Sequence, residues 1–461
     1  MVSLFRTGRA NAIARRLKGR AVDMLTIAVV ATGLAILGST PGSAGMIRDT
    51  EIEAGLRDLL EPLEVAAGYQ AGSVDVRVIL DPSYNAFVAG RKLIYFHSGV
   101  IVDASSPLEI IGVMAHELGH ITEGHVQRIS DELQQASGAA GLATVAAIAV
   151  AAGGGGDAAA GVLIGGNDHA ARGFLAARRR AEAVADEIGM QLLEDTGMSA
   201  VGLRDLMQRL ARQRSLPESR QSSYYTTHPG AAERLQAFQD HVNQSPHSDN
   251  VAPPDAVALF ERVKAKMIAW TETPQRVKSM ATDQAPDETV ASYMRAIADY
   301  RRGDLPSALS TMDTLIAVQP DDPYFHEFRG DILFALARPG DAAMAYEQAL
   351  ARRPASALIL VNLGRALIAR GGETDLQRAI TALKAAQDEE SDWAFLHRQY
   401  GIALGRSGRI AEADLALANE AILLNDGARA TQLARRVMDM EGLDPVLHRR
   451  ASDIVFRYGK D

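Results

Sequence analysis

AHELGH, residues 115–120, sets His116, Glu117 and His120 in an H-E-x-x-H array. On a helix, residues four apart share a face, so both imidazoles can reach one metal ion. Glu117, next to the first histidine, can stand beside the water that such an ion carries and take its proton. A catalytic zinc ordinarily has three protein ligands and one open position. The third ligand is therefore sought downstream, and the stretch RRAEAVADEIGMQLLED (179–195) offers it. Val184, Ile188, Leu192 and Leu193 recur there with helical periodicity, while Glu182 and Asp186 lie four apart beside the apolar stripe. Glu182 is the candidate third ligand. The plainer alternative is a solvated helix carrying ordinary surface carboxylates.

The composition agrees with this chemistry. A length of 461 residues predicts two or three domains. A formal net charge of -9 argues against nucleic acid as a partner. There is no cysteine, so any zinc is held by histidine and carboxylate, and one Zn2+ per chain is expected. At the N-terminus, Arg6, Arg9, Arg15, Arg16, Lys18 and Arg20 precede an apolar run, LTIAVVATGLAILG, and then small residues up to Ala44. That order reads as a secretory signal peptide over 1–44. The alternative is an uncleaved anchor in the inner membrane. Both place the rest of the chain outside the cytoplasm.

Working outward, residues 46–66 carry Ile52, Leu56, Leu59, Leu60 and Leu63 on one helical face. Residues 75–81 alternate like a strand and close on the turn signal DPS. Two more short strands, 85–88 and 93–96, flank Ala89-Gly90-Arg91, and the metal-bearing helix starts near Pro107. An edge strand beside that helix could hold an extended peptide by backbone pairing. Residues 137–166 form a Gly/Ala-rich insertion, read as a buried helix, a flap or a peripheral membrane contact. Residues 45–243 are thus expected to form the zinc metallopeptidase domain, and 244–289 a linker with one helix.

Residues 290–461 repeat themselves. Gly330 and Gly364 are 34 residues apart, as are Pro320 and Pro354, and Ala342, Tyr346 and Ala349 fall at the spacings of a tetratricopeptide repeat. Gly401 and Ala413 keep the spacing of Gly330 and Ala342. The Gly364 unit is longer by three, absorbed by GGETDLQ. Three to four repeats are expected, the first degenerate, near Ala296–Pro320. Stacked repeats make a solenoid that usually binds a protein. The fold class is mainly α (α+β): a zincin-type metallopeptidase domain with a small β-sheet, followed by an α-helical solenoid.

Three ordered motifs, AHELGHITEGH, then EAVAD at 182–186, then THPGAAERL at 227–235, resemble the zinc peptidases that include the heat-shock protease HtpX and the CAAX prenyl proteases. The resemblance implies His116, His120 and Glu182 as zinc ligands and Glu117 as general base. It implies that Asp186 orients a ligand histidine from behind. His228 matches a histidine that approaches the metal, either as a gate or as a transition-state stabiliser. With the signal segment and the repeats, it further implies a periplasmic endopeptidase for misassembled outer-membrane proteins, recruited through contacts of the repeats with the outer-membrane assembly machinery. The alternative is a chaperone-like binding protein whose protease is shut by His228. His125 reads as a polar helix-end group or a metal-linked one. Tyr224 and Tyr225 read as packed loop residues, or as donors to an oxyanion.

Overall fold

The computed structural model describes residues 45–125, 168–213, 224 and 227–459. The expectations for the signal segment 1–44, for the insertion 137–166 and for Tyr225 lie outside the described residues. Met46–Asp461 form one compact unit. No helix among the described residues is long and apolar enough to cross a membrane.

The chain enters through strand β1 (Gly45–Ile47) and helix α1 (Thr50–Ala66). Asp49 caps α1, its carboxylate accepting from the N–H groups of Glu51 and Ile52 at 3.1 and 3.0 Å. The expected apolar face, Ile52, Leu56, Leu59, Leu60 and Leu63, is buried. The opposite face is exposed at Asp58, Glu61 and Val65, but the first turn is buried on every side. There Glu51 accepts from Tyr293 of the solenoid, and Glu53 pairs with Arg48, which also pairs with Glu390 of the solenoid.

Strands β2 (Asp75–Leu80), β3 (Ala86–Ala89) and β4 (Leu93–His97) complete a four-stranded sheet in the order β1-β2-β4-β3. β2 and β4 run parallel, with Val76 opposite Ile94 and Val78 opposite Phe96, and these four side chains fill one buried face. β3 returns antiparallel to β4 through Gly90, whose φ of +63° suits the tight turn. β3 is therefore an edge strand. After α2 (Ser98–Asp103) comes α3 (Pro107–Thr122), started by proline at its first position and buried nearly throughout. α4 (Asp168–Asp195), α5 (Val201–Gln213) and α6 (Ala231–Gln244) pack around it or around one another. The stripe on α4 begins at Ala185 and not at Val184, which is 36% exposed.

The segment 244–289 departs from the expected linker. It holds two helices, α7 (Pro254–Thr271) and α8 (Pro274–Asp283). α7 is apolar on two sides. Phe260, Val263 and Met267 enter the core of the peptidase region, and Ala265, Ile268 and Ala269 enter the first core of the solenoid. One helix thus joins two cores.

From Glu288 the helices pair in order: α9 (Glu288–Arg301) with α10 (Leu305–Val318), α11 (Pro323–Ala335) with α12 (Pro339–Arg352), α13 (Ala357–Arg370) with α14 (Glu373–Glu389), α15 (Ala394–Arg406) with α16 (Ile410–Leu423), and α17 (Gly427–Met438) with α18 (Pro445–Tyr458). Among the described residues this makes five pairs, one more than expected. The last lacks the glycine spacing that marked the three middle pairs. Gly330 faces the ring of Tyr346, Gly364 faces Leu383 and Gly401 faces Leu417, at separations of 16, 19 and 16 residues. The three extra residues of the middle unit lengthen its second helix to 17 residues against 14 in α12 and α16. In the degenerate first pair, Ala296 and Met312 stand where Gly330 and Tyr346 stand one unit later, and both are fully buried.

Candidate active site

Helices α3 and α4 cross almost without side chains between them. A Cβ on Gly119 would lie 2.6 Å from the Ala185 carbonyl oxygen, and one on Gly189 would lie 3.1 Å from the His116 nitrogen. This approach carries Glu182 and Asp186, on the turns around Ala185, up to His116 and His120. All four are buried.

His116 Nδ1–H donates to the Asp186 carboxylate at 2.9 Å. That bond fixes the tautomer and leaves Nε2 facing the cluster. His120 Nδ1 meets His125 Nδ1 at 2.9 Å, so His125 sits on the far side of His120 from the cluster. Nε2 of His116 is 3.2 Å from Nε2 of His120 and 3.4 Å from Glu182 Oε2, and His120 Nε2 is 3.6 Å from Glu182 Oε1. Four ligands about 2.0–2.2 Å from a tetrahedral zinc are roughly 3.3–3.6 Å from one another. The donor set therefore fits a tetrahedral metal site by both chemistry and spacing. His228 completes it: its Nδ1 lies 3.1 Å from His116 Nε2 and 3.0 Å from Glu182 Oε2, and ligand atoms of all four residues fall within 4.8 Å of one another. His228 Nε2 lies 3.1 Å from the carbonyl of Ala86, on the edge strand β3. With that carbonyl as acceptor, Nε2 carries the proton and Nδ1 turns its lone pair inward.

Arg234, on α6, was not singled out by sequence. Its guanidinium donates to both oxygens of Asp186, at 2.5 and 2.6 Å, and to Glu182 at 2.8 Å. Burial would raise the pKa of both carboxyls. His228 and Arg234 instead hold Glu182 well below its usual range, and Arg234 with His116 holds Asp186 down. Burial would lower the pKa of His116, but its bonds to Asp186 and Glu182 outweigh it and lift the pKa to about 9. Burial and the neighbouring His116 push His120 well below. Glu117 differs from the other carboxylates. Burial raises its pKa, and both of its oxygens are buried without a hydrogen-bond partner among the described residues. His228 Nε2 lies 3.5 Å from Glu117 Oε1.

His116, Glu117, His120, Glu182, Asp186 and His228 thus lie together in one place. The signal for Arg234 was already inside THPGAAERL, six residues after His228, where an arginine on a polar helix reads as solvated.

Residues 48–242 match the family described as Peptidase family M48. The chain is 23% identical over 286 residues to the beta-barrel assembly-enhancing protease of Yersinia pestis, covering 62% of this chain and 58% of that protein. It is 32% identical over 177 residues to Metalloprotease LoiP of Escherichia coli K12, covering 37% of this chain and 63% of that protein. The beta-barrel assembly-enhancing protease of Escherichia coli K12 is 22% identical over 366 residues, covering 77% of this chain and 73% of that protein. The first two alignments thus span under two thirds of the relatives' lengths. Among solved structures, MamA 41-end from Desulfovibrio magneticus RS-1 is 20% identical with a TM-score of 0.32, covering 36% of this chain and 95% of that one.

Proposed function

From a chain that carries a Peptidase family M48 domain over residues 48–242, we propose a zinc-dependent endopeptidase of the bacterial periplasm that degrades misassembled outer-membrane proteins. The observation that supports it most is the close-to-tetrahedral spacing of the His116, His120 and Glu182 donors beside the buried Glu117 carboxylate, which has no hydrogen-bond partner among the described residues. The substrate class and the recruitment of clients by the solenoid follow from the relatives named for β-barrel assembly and from the habit of repeat arrays of binding proteins.

Zinc, when bound, supplies a Lewis acid that polarises the scissile carbonyl and lowers the pKa of its water. The chain supplies the rest. Glu117, its pKa raised by burial, accepts the proton of the attacking water and returns it to the leaving nitrogen. Asp186 keeps His116 in the tautomer that ligates, and Arg234 holds Asp186 and Glu182 ionised. An extended substrate pairs with edge strand β3. His228 occupies two positions that this reaction needs: the fourth corner of the donor set and the carbonyl of Ala86 on that edge. It acts as a gate that must leave before a substrate enters. The same placement favours the second reading, a client-binding protein whose protease is normally shut.

The test uses purified 45–461, analysed for zinc and assayed on casein with and without a chelator. The parent should hold one zinc and cleave only with it. Glu117→Gln should keep the zinc and lose cleavage, since the amide cannot act as base. His228→Ala should cleave faster than the parent at equal zinc occupancy. Cleavage that survives the chelator, or an active Glu117→Gln, sinks the endopeptidase mechanism, and a slower His228→Ala sinks the gate.

A further inference from the structure

With His228 read as a gate, the oxygen of the scissile carbonyl still needs a donor as it gains charge. Tyr224 is fully buried, and its hydroxyl has no hydrogen-bond partner among the described residues. A buried phenol ordinarily finds one. The ring stacks on His228, with centroids 4.2 Å apart and planes at 25°, and meets Tyr84 edge-on at 5.9 Å. The Tyr224 N–H donates to the Tyr84 carbonyl at 3.1 Å, which ties it to the segment leading into β3. Its own carbonyl accepts the His228 N–H at 2.8 Å. Burial first, then the nearby charge of Glu117, keeps the phenol protonated by holding its pKa well above the usual value.

Two orphan groups therefore border the same metal cluster, the Tyr224 hydroxyl as a donor and the Glu117 carboxylate as an acceptor. The reaction brings two atoms that would satisfy them. A water belongs with Glu117, and the carbonyl oxygen belongs with a donor.

We propose that Tyr224 is a catalytic residue whose hydroxyl donates a hydrogen bond to the scissile carbonyl oxygen as it becomes an oxyanion. The assignment rests on the peptidase reading above. It makes no covalent demand on Tyr224: the phenol keeps its proton, the lone pair of the attacking water forms the new C–O bond, and the pair that moves onto the oxygen comes from the carbonyl π bond. Removing one such donor ordinarily costs about 10²–10³ in kcat. The competing role is that of a ring that only clamps His228, and Tyr224→Phe keeps that ring while deleting the oxygen.

The experiment compares zinc-loaded parent and Tyr224→Phe for kcat and KM on a quenched fluorescent peptide, and for affinity to a phosphinic pseudo-peptide that mimics the tetrahedral transition state. Tyr224→Phe should hold one zinc, keep KM within about threefold, and lose kcat and phosphinate affinity together by about 10²-fold. Parent-like kcat and phosphinate affinity overturn the proposal and leave the clamp. Loss of zinc from Tyr224→Phe also overturns it, making the residue part of the metal cage. A zinc-loaded parent and a zinc-loaded His228→Ala that both cleave nothing overturn the peptidase reading, and this assignment with it. A cleaving parent matched by Tyr224→Phe overturns this assignment alone.

Discussion

Helix α3 meets α4 backbone to backbone, whereas α11 meets α12 through a side chain set into the gap a glycine leaves. A Cβ on Gly119 would lie 2.6 Å from the carbonyl oxygen of Ala185 and 2.9 Å from its Cα. A Cβ on Gly330 would lie 2.6 Å from the ring of Tyr346. The approach distance does different work in the two places. Between α3 and α4 it fixes where two carboxylates stand against two imidazoles, so a small shift breaks the donor set. In the solenoid it fixes only how two helices stack, and the neighbour has been exchanged from unit to unit: Tyr346, Leu383, Leu417.

The sharpest way to break this comparison is Gly119→Ala. Its neighbour is backbone and cannot rotate away, so α4 must move. Overpacking usually costs about 1–3 kcal/mol and occasionally more, while alanine regains roughly 1 kcal/mol of helix propensity. Because only a helix shift relieves the clash, the variant should fall at the upper end, a net loss of about 2 kcal/mol after the propensity gain. Its zinc affinity should drop about 10-fold or more, as it does when groups orienting a ligand are disturbed. Denaturant unfolding and a competitive zinc titration measure the two. A variant that binds zinc as the parent does would show that the crossing does not set the site.

The solenoid sharpens the comparison through a matched pair. Gly330→Ala meets three atoms of an aromatic ring within 2.9 Å, and the Tyr346 hydroxyl is held by Asp331 at 2.7 Å. The ring cannot yield, so a net loss of about 1–2 kcal/mol is expected after the propensity gain. Gly364→Ala meets Cγ and the two methyls of Leu383 within 3.0 Å, a single aliphatic side chain with no hydrogen bond to hold it, which can change rotamer, so the loss should be smaller than for Gly330→Ala. Equal losses in the two variants would mean that the stiffness of the neighbour is not what matters.

The same contrast explains what could be read from the chain. The solenoid writes one contact again and again at a fixed interval, so spacing alone exposed Gly330, Gly364 and Gly401 and even the three-residue insertion. His326 and His397 repeat it in another form, each bonding at 2.8 Å to the carbonyl six residues earlier, Pro320 and Ser391. In the site, each contact is made once and between distant segments. His116, Glu117 and His120 were legible because one helix carries them in fixed order. Glu182, Asp186 and His228 were legible through their motifs. Arg234 lies 48 residues from Asp186, and nothing local marks it as buried. α7 was legible as a helix, the one expected in 244–289, but not as a junction, for a related reason. Each of its two apolar faces is too narrow to stand out, and its partners are two cores that the sequence does not show as adjacent.

The last test lies where the two regions touch and is read as a dependence on pH. Glu327 of α11 is buried, and its carboxyl oxygen accepts from the hydroxyl of Thr50, the first residue of α1, at 2.6 Å. Burial first, then the nearby carboxylate of Asp331, pushes its pKa from 4.5 up to about 8, with Lys266 of α7 opposing and Asp49 adding. Asp331 itself is pushed from 3.8 up to about 6 by burial, against the hydrogen bond from Tyr346 and the charges of Arg365 and Lys266. The sign follows from proton counting. Between 4.5 and about 8 the folded chain holds a proton on Glu327 that the unfolded chain has released. Stability from this group is therefore full below the lower value and is lost as pH rises through the upper one. Glu327→Gln keeps the neutral form at every pH. Its thermal midpoint should match the parent near pH 5, exceed it near pH 9, and fall less steeply between. Parallel parent and variant midpoints across that range would show that the junction between peptidase and solenoid does not depend on a protonated Glu327.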